Sequence, residues 1–239
     1  MGTRAKAAGL AILLGLVTAP AAATWSIVAV DPETGEVGGA SATCTPWARV
    51  IFGVVPGKGI IVTQAASNKA ARRHGEALLR RGHSPAEIVA AITDAGVDPT
   101  HARQQHGIVA LGFTADAAGY SGRETSRVTG DLQGEGVSVQ GNVLAGPAVL
   151  RAALDAFEAA RRDAKAPLSE RLLRALEAGA AQGGDRRCGK QTAITAYLVV
   201  ARPDDDADAP TLRLATPLQY RGGDNAVTVL REMYDQAVP

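Results

Sequence analysis

Aromatic residues are scarce in this sequence, and there is little excess of charge. Phe, Tyr and Trp make up 4% of the 239 residues, and 25 Lys and Arg against 24 Asp and Glu give a formal net charge of +1. Binding to nucleic acid or to an anionic membrane surface requires a basic surplus, and base stacking requires exposed aromatic rings. The composition therefore favours neither kind of partner.

No hydrophobic run is long enough to span a bilayer, which takes roughly 20 apolar residues. The apolar stretch at 7–17 is shorter; it follows Arg4 and Lys6 and precedes three alanines at 21–23. A positive start, a short apolar run and small residues at the end are typical of a secretory signal peptide. An uncleaved anchor and a buried first helix are the alternatives.

Cleavage after Ala23 would make Thr24 the first residue of the mature chain. We therefore predict an exported protein, periplasmic or secreted, with residues 1–23 as the signal peptide. Residues 24–239 contain no internal repeat and no low-complexity linker, so we predict a single domain there.

Metal-ligand patterns are also missing. The sequence contains four histidines: His74, His83, His101 and His106. No two of them share a helix face, so we predict surface or capping residues rather than ligands. The alternating aspartates at 204–208 lack the glycine and the distal glutamate of a calcium loop, and we expect a solvated hairpin loop. The sequence thus predicts no metal and no cofactor.

Two cysteines are present, Cys44 and Cys188. An even number in an exported chain favours a disulfide, which over so long a loop would contribute about 4–5 kcal/mol in the chain-entropy model. Free buried thiols and a catalytic thiol are the alternatives.

The predicted elements are strands, two helices, strands, two helices, strands and a final helix. We predict strands at 24–31, 36–43, 50–55, 59–64, 107–114, 137–140, 192–201 and 211–216, and helices at 68–81, 84–95, 147–162, 168–181 and 227–234. Because this order lacks the strict alternation of a parallel sheet, it favours antiparallel sheets covered by helices, an α+β fold.

Thr24 is a candidate nucleophile because an N-terminal threonine carries a hydroxyl and a base in one residue. Its α-amine, with a pKa near about 7.7–8.0, can accept the hydroxyl proton and later return it to a leaving amine. Many exported proteins also begin with a small polar residue, so the cleavage site alone does not make Thr24 catalytic.

Two other segments carry groups that such chemistry uses. Gln140 and Asn142 lie at a strand end just before a helix, where carboxamides either hold a developing oxyanion or satisfy loop backbone. Asp185 and Arg187 lie in a glycine-containing turn, where Arg187 either orients Asp185 or binds a substrate carboxylate, or where the two form a structural salt bridge.

Four blocks of sequence together resemble one protein family: TWSIVAVDPETGEVGGA at 24–40, VPGKGIIVTQAASN at 55–68, GVSVQGNVLAGP at 136–147 and GGDRRCGKQTA at 183–193. This is the family catalogued as domain of unknown function 1028 (DUF1028), which is assigned to the N-terminal-nucleophile (Ntn) hydrolase superfamily. The resemblance implies a four-layer αββα sandwich of two antiparallel sheets between helical layers.

The resemblance also implies a site in which Thr24, freed by signal-peptide cleavage, attacks a C–N amide bond of a small-molecule or peptide-like substrate. The implied catalytic residues are Thr24, Asn142, Gln140 and Lys58, and the implied substrate-binding residues are Asp185, Arg187 and Asn68. A disulfide between Cys44 and Cys188 would join the GGDRR loop to the end of the second strand.

Two other interpretations stay open. One is a non-catalytic exported binding protein on the same fold. The other moves the nucleophile to Ser26 or Cys44 on the same scaffold. A homo-oligomer is compatible with the sequence, and the residues do not identify the substrate.

Overall fold

The computed structural model describes residues 24–126 and 128–238. The predicted signal peptide, 1–23, lies outside the described residues. The strands are β1 (Thr24–Val30), β2 (Val37–Thr43), β3 (Phe52–Val55), β4 (Gly59–Ala65), β5 (Gln104–Ala110), β6 (Ala118–Ser121), β7 (Gly130–Gly134), β8 (Val137–Asn142), β9 (Thr195–Ala201) and β10 (Leu212–Ala215). The helices are α1 (Lys69–Arg80), α2 (Pro85–Ile92), α3 (Ala148–Arg161), α4 (Leu168–Ala181) and α5 (Ala226–Ala237).

The strands form two antiparallel sheets. The larger sheet has the order β10-β9-β2-β1-β8-β7, and the smaller one has the order β3-β4-β5-β6. The structure therefore confirms the predicted α+β fold with two antiparallel sheets. None of the helices within 24–126 and 128–238 combines the length and the apolar character needed to cross a bilayer.

The β1–β2 hairpin follows directly from its sequence. β1 is rich in β-branched residues, which fit a pleated, buried surface. The turn that follows closes with a 2.8 Å hydrogen bond from the Gly35 N–H to the Asp31 carbonyl, and Gly35 has a φ of 74°. That conformation favours glycine because it has no Cβ.

The two sheets pack face to face, and helices cover both outer faces. On the larger sheet, Trp25 packs with Phe157 of α3 and Leu172 of α4 in one apolar core. On the smaller sheet, Ile61 packs with Ile88 of α2 in a second core. A third core lies between the sheets and includes Val28, Phe52, Val62 and Val109. These cores separate four layers in the order α, β, β, α.

The sheets differ in width, and this difference shapes one side of the molecule. β3, the edge strand of the smaller sheet, lies against β2 of the larger sheet. Because β9 and β10 come after β2 in the larger sheet, they extend beyond the edge of the smaller one. The inner face of this overhang carries Tyr197 and Arg213.

Several strands differ from the predictions, and β7 and β5 are among them. β7 was not predicted, because its sequence GDLQG lacks the β-branched and aromatic residues that indicate a strand. β5 begins at Gln104, three residues before the predicted start at 107, because its polar first residues are buried by tertiary contacts. Helix α4 has the bounds that the sequence predicts.

Candidate functional site

Thr24 begins β1, one of the two central strands of the larger sheet. It pairs with Thr43 on β2 and with Asn142 on β8. Side chains alternate along a strand, and Trp25 faces the helical layer, so Thr24 and Ser26 face the smaller sheet. In the full chain, where Thr24 is in peptide linkage to residue 23, its relative exposure is 3%.

A layer of buried carboxamides lies between the sheets beside Thr24. The Ser26 hydroxyl donates to Gln64 Oε1 at 2.7 Å and accepts from Gln140 Nε2 at 2.7 Å. Gln64 Nε2 donates to Gln105 Oε1 at 2.7 Å and approaches the Thr24 carbonyl at 3.5 Å. All these side chains are at most 1% exposed. The network therefore holds Gln140 beside Ser26. Ser26 is the next residue after Thr24 on the same face of β1.

Asn142 is the cross-strand partner of Thr24. Its amide nitrogen forms a hydrogen bond, whereas its amide oxygen forms none with the described residues. Its Nδ2 donates to Gln105 Oε1 at 3.3 Å, and Gln105 Nε2 donates to the Gly130 and Gly141 carbonyls at 2.8 and 3.0 Å. Asn142 Oδ1 is buried and has no hydrogen-bond partner among the described residues. An unsatisfied buried acceptor is costly. This oxygen is therefore a candidate acceptor for a hydrogen-bond donor that is absent while residues 1–23 are attached.

Asp185 lies at the amino end of β1. The Cys44 N–H donates to Asp185 Oδ2 at 2.8 Å, and Leu144 forms an isolated antiparallel bridge with Asp185. Cys44 directly follows Thr43 on one side of β1, and Leu144 comes two residues after the end of β8 on the other. The Asp185 turn therefore joins the two strands that flank β1, beyond the nitrogen of Thr24.

The Asp185 carboxylate is held by a close ion pair. Arg187 Nη2 lies 2.7 Å from Oδ2, and Arg187 Nε donates to Oδ1 at 3.1 Å. The Asp185 side chain is fully buried and that of Arg187 is 25% exposed. Such two-point pairing orients a carboxylate as well as neutralising it. The structure thus brings Asp185 and Arg187 together, as the turn sequence allowed.

The predicted disulfide between Cys44 and Cys188 is present, with a Cα–Cα distance of 5.8 Å. The Cys188 N–H also donates to the Asp185 carbonyl at 3.1 Å. The bond therefore attaches the Asp185 turn covalently to the end of β2. It lies next to the Cys44 N–H, which donates a hydrogen bond to the Asp185 carboxylate. With Cys44 in the disulfide, it is not a free thiol nucleophile in this structure.

Lys58 and Asn68 are not brought to Thr24. Lys58 precedes β4, whereas Gln64, which reaches Thr24, is six residues further along the same strand. At about 3.3 Å per residue the separation is about 20 Å. Asn68 caps helix α1: its Oδ1 accepts from the Ala70 N–H at 2.8 Å, and its Nδ2 donates to Asp98 Oδ2 at 2.6 Å. Both polar ends of Asn68 are occupied by these contacts.

The prediction that the histidines are surface or capping residues is wrong for His106. Its side chain is fully buried on the outer face of β5, and its ring stacks on Tyr120 with centroids 5.8 Å apart. Neither ring nitrogen has a hydrogen-bond partner among the described residues. Burial lowers the pKa of His106 to about 4, and the charge of Asp98 opposes this effect. His74 is exposed, as predicted.

Strained backbone is concentrated at the Thr24 end of the sandwich. Ala65, Val143 and Thr192 have positive φ values of 63°, 53° and 63°. Ala65 and Val143 directly follow Gln64 and Asn142, and the Thr192 carbonyl accepts from the Asp185 N–H at 3.2 Å. Left-handed backbone at non-glycine residues is costly and is found disproportionately at functional sites.

Sequence reasoning missed Gln64 and Gln105. Gln64 lies two residues after Val62 on β4, so its side chain points to the same inner face of the sheet. Gln105 pairs with Gln64 and lies two residues before Gly107 on β5, so it also faces inward. A polar residue that keeps an inward-facing register was the available signal. Within 24–126 and 128–238, no group of three or more His, Cys, Asp or Glu side chains is arranged to hold a metal ion.

Comparison with known proteins identifies the family. Residues 24–217 match the family model DUF1028, a family of unknown function. The crystal structure of protein SPO2555 from Silicibacter pomeroyi, assigned to the same family, is similar, with a TM-score of 0.76 and 28% identity; the match covers 91% of this chain and 87% of that chain. No curated protein matches the chain. The chain belongs to DUF1028, a family of unknown function.

Proposed function

We propose that this protein is an exported amide-bond hydrolase and that its nucleophile is the Thr24 hydroxyl, freed when residues 1–23 are removed. The observation that carries the proposal is the position of Thr24. It starts one of the two central strands, its side chain lies on the inner face beside buried carboxamides, and Asp185 lies beyond its nitrogen.

The chemistry requires only groups near Thr24. In the neutral form, the α-amine accepts the hydroxyl proton while Oγ1 attacks the amide carbonyl. The amine then gives this proton to the leaving nitrogen as the C–N bond breaks, and water hydrolyses the ester that remains on Thr24. Asp185 would stabilise the transient ammonium, and Arg187 would keep the carboxylate oriented.

The carboxamides have different roles in this proposal. Asn142 is the cross-strand partner of Thr24, and its Nδ2 is the candidate donor to the oxyanion; Oδ1, which lacks a partner among the described residues, would accept from the new amine. Gln140 is bound to Ser26 and would position the strand rather than contact the oxyanion. Asn142 Oδ1 is buried without a hydrogen-bond partner among the described residues, at a cost of roughly 2–7 kcal/mol, which supports a functional reason for its presence.

The rival nucleophiles fit less well. The Ser26 hydroxyl is fully buried, accepts from Gln140 and donates its proton to the Gln64 carboxamide oxygen, which is not a base that could remove it. Cys44 is in a disulfide. Disulfides persist in oxidising compartments, so this bond also supports the proposed export.

The low exposure of Thr24 favours a second candidate, an exported binding protein on the same fold. The two candidates differ in one property. A hydrolase must present a free and reactive Thr24 amine and hydroxyl in the mature chain, whereas a binding protein need not.

The test is to express the full chain with export, purify the mature protein and measure its intact mass. We expect a chain that starts at Thr24. Incubation with a β-lactone should then add one adduct to the wild type and to Thr24→Ser, and none to Thr24→Ala. A mature chain starting at Ala22, Trp25 or Met1 contradicts the hydrolase. A correct start with neither an adduct nor turnover across a panel of amides favours the binding protein.

A further inference from the structure

A basic cleft opens where β9 and β10 extend beyond the smaller sheet. Arg213 of β10 lines one side, Lys69 and Arg72 of α1 line the other, and Arg49 lies in the loop after β2. The cleft has a volume of about 680 Å³, and none of the described residues that line it is acidic. A neighbouring cavity shares these four cations with this cleft and is also lined by Glu76 and Asp208, so cations outnumber carboxylates on this side of the molecule.

Most of these cations lack a carboxylate partner. Arg72 pairs with Glu76 at 3.4 Å and also donates to the Val50 carbonyl. Within the described part of the chain, Arg49, Lys69 and Arg213 form no ion pair. Repulsion among three cations is unfavourable in an empty cleft and is relieved by a bound anion.

The floor of the cleft is aromatic. Tyr197 of β9 is 7% exposed and stacks on Phe52 of β3 with centroids 5.7 Å apart. Burial raises the pKa of Tyr197, whereas Arg213 and Arg49 act in the opposite direction. The neutral phenol therefore remains available beside the arginines as a hydrogen-bond donor.

An apolar surface adjoins the cations. Trp47 and Leu218 are 61% and 60% exposed, and both line a neighbouring cleft of about 200 Å³. This second cleft shares Arg49 and Tyr197 with the basic one. Exposed apolar side chains next to unpaired arginines complement a ligand that has an anionic end and an apolar body.

We propose that these adjoining clefts bind an organic carboxylate that carries an apolar group, with the carboxylate at Arg49 and Arg213 and the apolar group on Trp47. Arginine binds a carboxylate through two parallel hydrogen bonds, which gives orientation as well as charge.

The position of the clefts relates this ligand to Thr24. Tyr197 lies two strands and two residues away from Thr24 in the larger sheet. With strands about 4.8 Å apart and about 3.4 Å per residue, the Cα atoms are about 12 Å apart. An extended peptide covers this distance with about four residues. This step rests on the proposed hydrolase function. With that function, the carboxylate belongs to a substrate whose scissile amide lies about 12 Å from it.

The test measures binding to the mature Thr24→Ala protein, so that no turnover is involved. The probes are N-acetyl-phenylalanine and its neutral C-terminal amide, which differ in the charge of one group. Binding is followed by calorimetry and by tryptophan fluorescence, because Trp47 is exposed whereas Trp25 is fully buried. We expect the acid to bind at least about tenfold more tightly than the amide, and more tightly than inorganic phosphate, which lacks the apolar group.

Substitutions locate the site. Arg213→Gln and Arg49→Gln should each weaken binding of the acid about tenfold, whereas Arg151→Gln, an exposed arginine on α3, should leave it unchanged. Equal affinity for acid and amide, phosphate binding as tight as the acid, no saturable binding, or wild-type affinity in Arg213→Gln would each overturn the inference. Failure of Thr24 to form a β-lactone adduct would overturn the hydrolase alone, because this titration does not use the Thr24 hydroxyl.

Discussion

The Asp185 carboxylate accepts a 2.8 Å hydrogen bond from the backbone N–H of Cys44. The same carboxylate pairs with Arg187, and the same Cys44 is bonded through sulfur to Cys188. Three kinds of contact therefore fix one turn at the amino end of β1. The stability of this turn can be tested separately from any activity.

Removing the charge of Asp185 should destabilise the fold. In Asp185→Asn the buried side chain loses its ion pair with Arg187, and breaking a buried pair from one side typically costs about 3 kcal/mol. Urea unfolding of the oxidised protein measures the change in the free energy of unfolding. The matched control is Asp155→Asn, whose carboxylate is 62% exposed and 4.0 Å from Arg151. We expect a change below about 0.5 kcal/mol there; equal effects in the two variants would contradict the structure.

The disulfide should contribute substantially to stability. Replacing both Cys44 and Cys188 by serine should lower the free energy of unfolding by about 5 kcal/mol in the chain-entropy model, since the bond spans 144 residues. Intact mass should rise by two hydrogens when the wild type is reduced. Reductant should destabilise the wild type and leave the double variant unaffected; a wild type whose mass does not change on reduction has no such bond.

A methyl group at Gly107 should disturb the carboxamide layer. A Cβ at this position would overlap Gln140 Oε1 from the opposite sheet, and the hydrogen bonds to Ser26 restrict how far Gln140 can move. We expect Gly107→Ala to cost about 2–3 kcal/mol, measured by denaturant unfolding. Gly112→Ala is the control, because its Cβ would meet nothing within 4 Å and should change stability by less than about 0.5 kcal/mol.

Stability should depend on pH through His106. Its pKa is about 4 in the folded protein, against 6.5 as the ordinary value. Between these values the unfolded chain binds a proton that the folded protein does not, so the free energy of unfolding falls as the pH is lowered from about 6.5 to 4. The loss is about 3 kcal/mol, because each tenfold change in proton affinity corresponds to about 1.4 kcal/mol.

The His106→Phe variant isolates this contribution. It keeps a ring against Tyr120 and removes the titrating group, so its unfolding free energy should vary less with pH in this range. His74→Gln, at an exposed position, should retain the wild-type dependence. If wild type and His106→Phe lose stability in parallel from pH 6.5 to 4, the assigned pKa is wrong.

The sequence predicted much of the fold because apolar periodicity and turn residues agree over long segments. Helix α4 has its predicted bounds, and β1 and β2 differ from theirs by one residue. The start of β5 was predicted three residues late for a physical reason. β5 begins with Gln104, Gln105 and His106, which are polar residues that only contacts with other strands and loops bury.

The candidate site was predictable in part for the same reason. Thr24, Asn142 and Asp185 were identified from chain position and from family blocks, and they lie at one end of the sandwich. Gln64 and Gln105 join them across the space between the sheets, and no local pattern reports which strands will face each other. The sequence block that contains Lys58 predicts it for the site, but Lys58 lies at the other end of its strand.

The disulfide also changes what the chain must do to fold. Thr43 of β2 pairs with Thr195 of β9, a contact between distant parts of the sequence that carries a large loop-closure cost. The Cys44–Cys188 bond shortens the covalent path between Thr43 and Thr195. Thr43 is one residue from Cys44, and Thr195 is seven residues from Cys188. In the oxidised chain, the pairing of β2 with β9 is therefore a nearly local contact. Because local contacts form faster, we expect the oxidised protein to refold much faster than the reduced one. The whole smaller sheet lies within the closed covalent ring, as do β7 and β8 of the larger sheet, so after oxidation these strands pair within a closed loop.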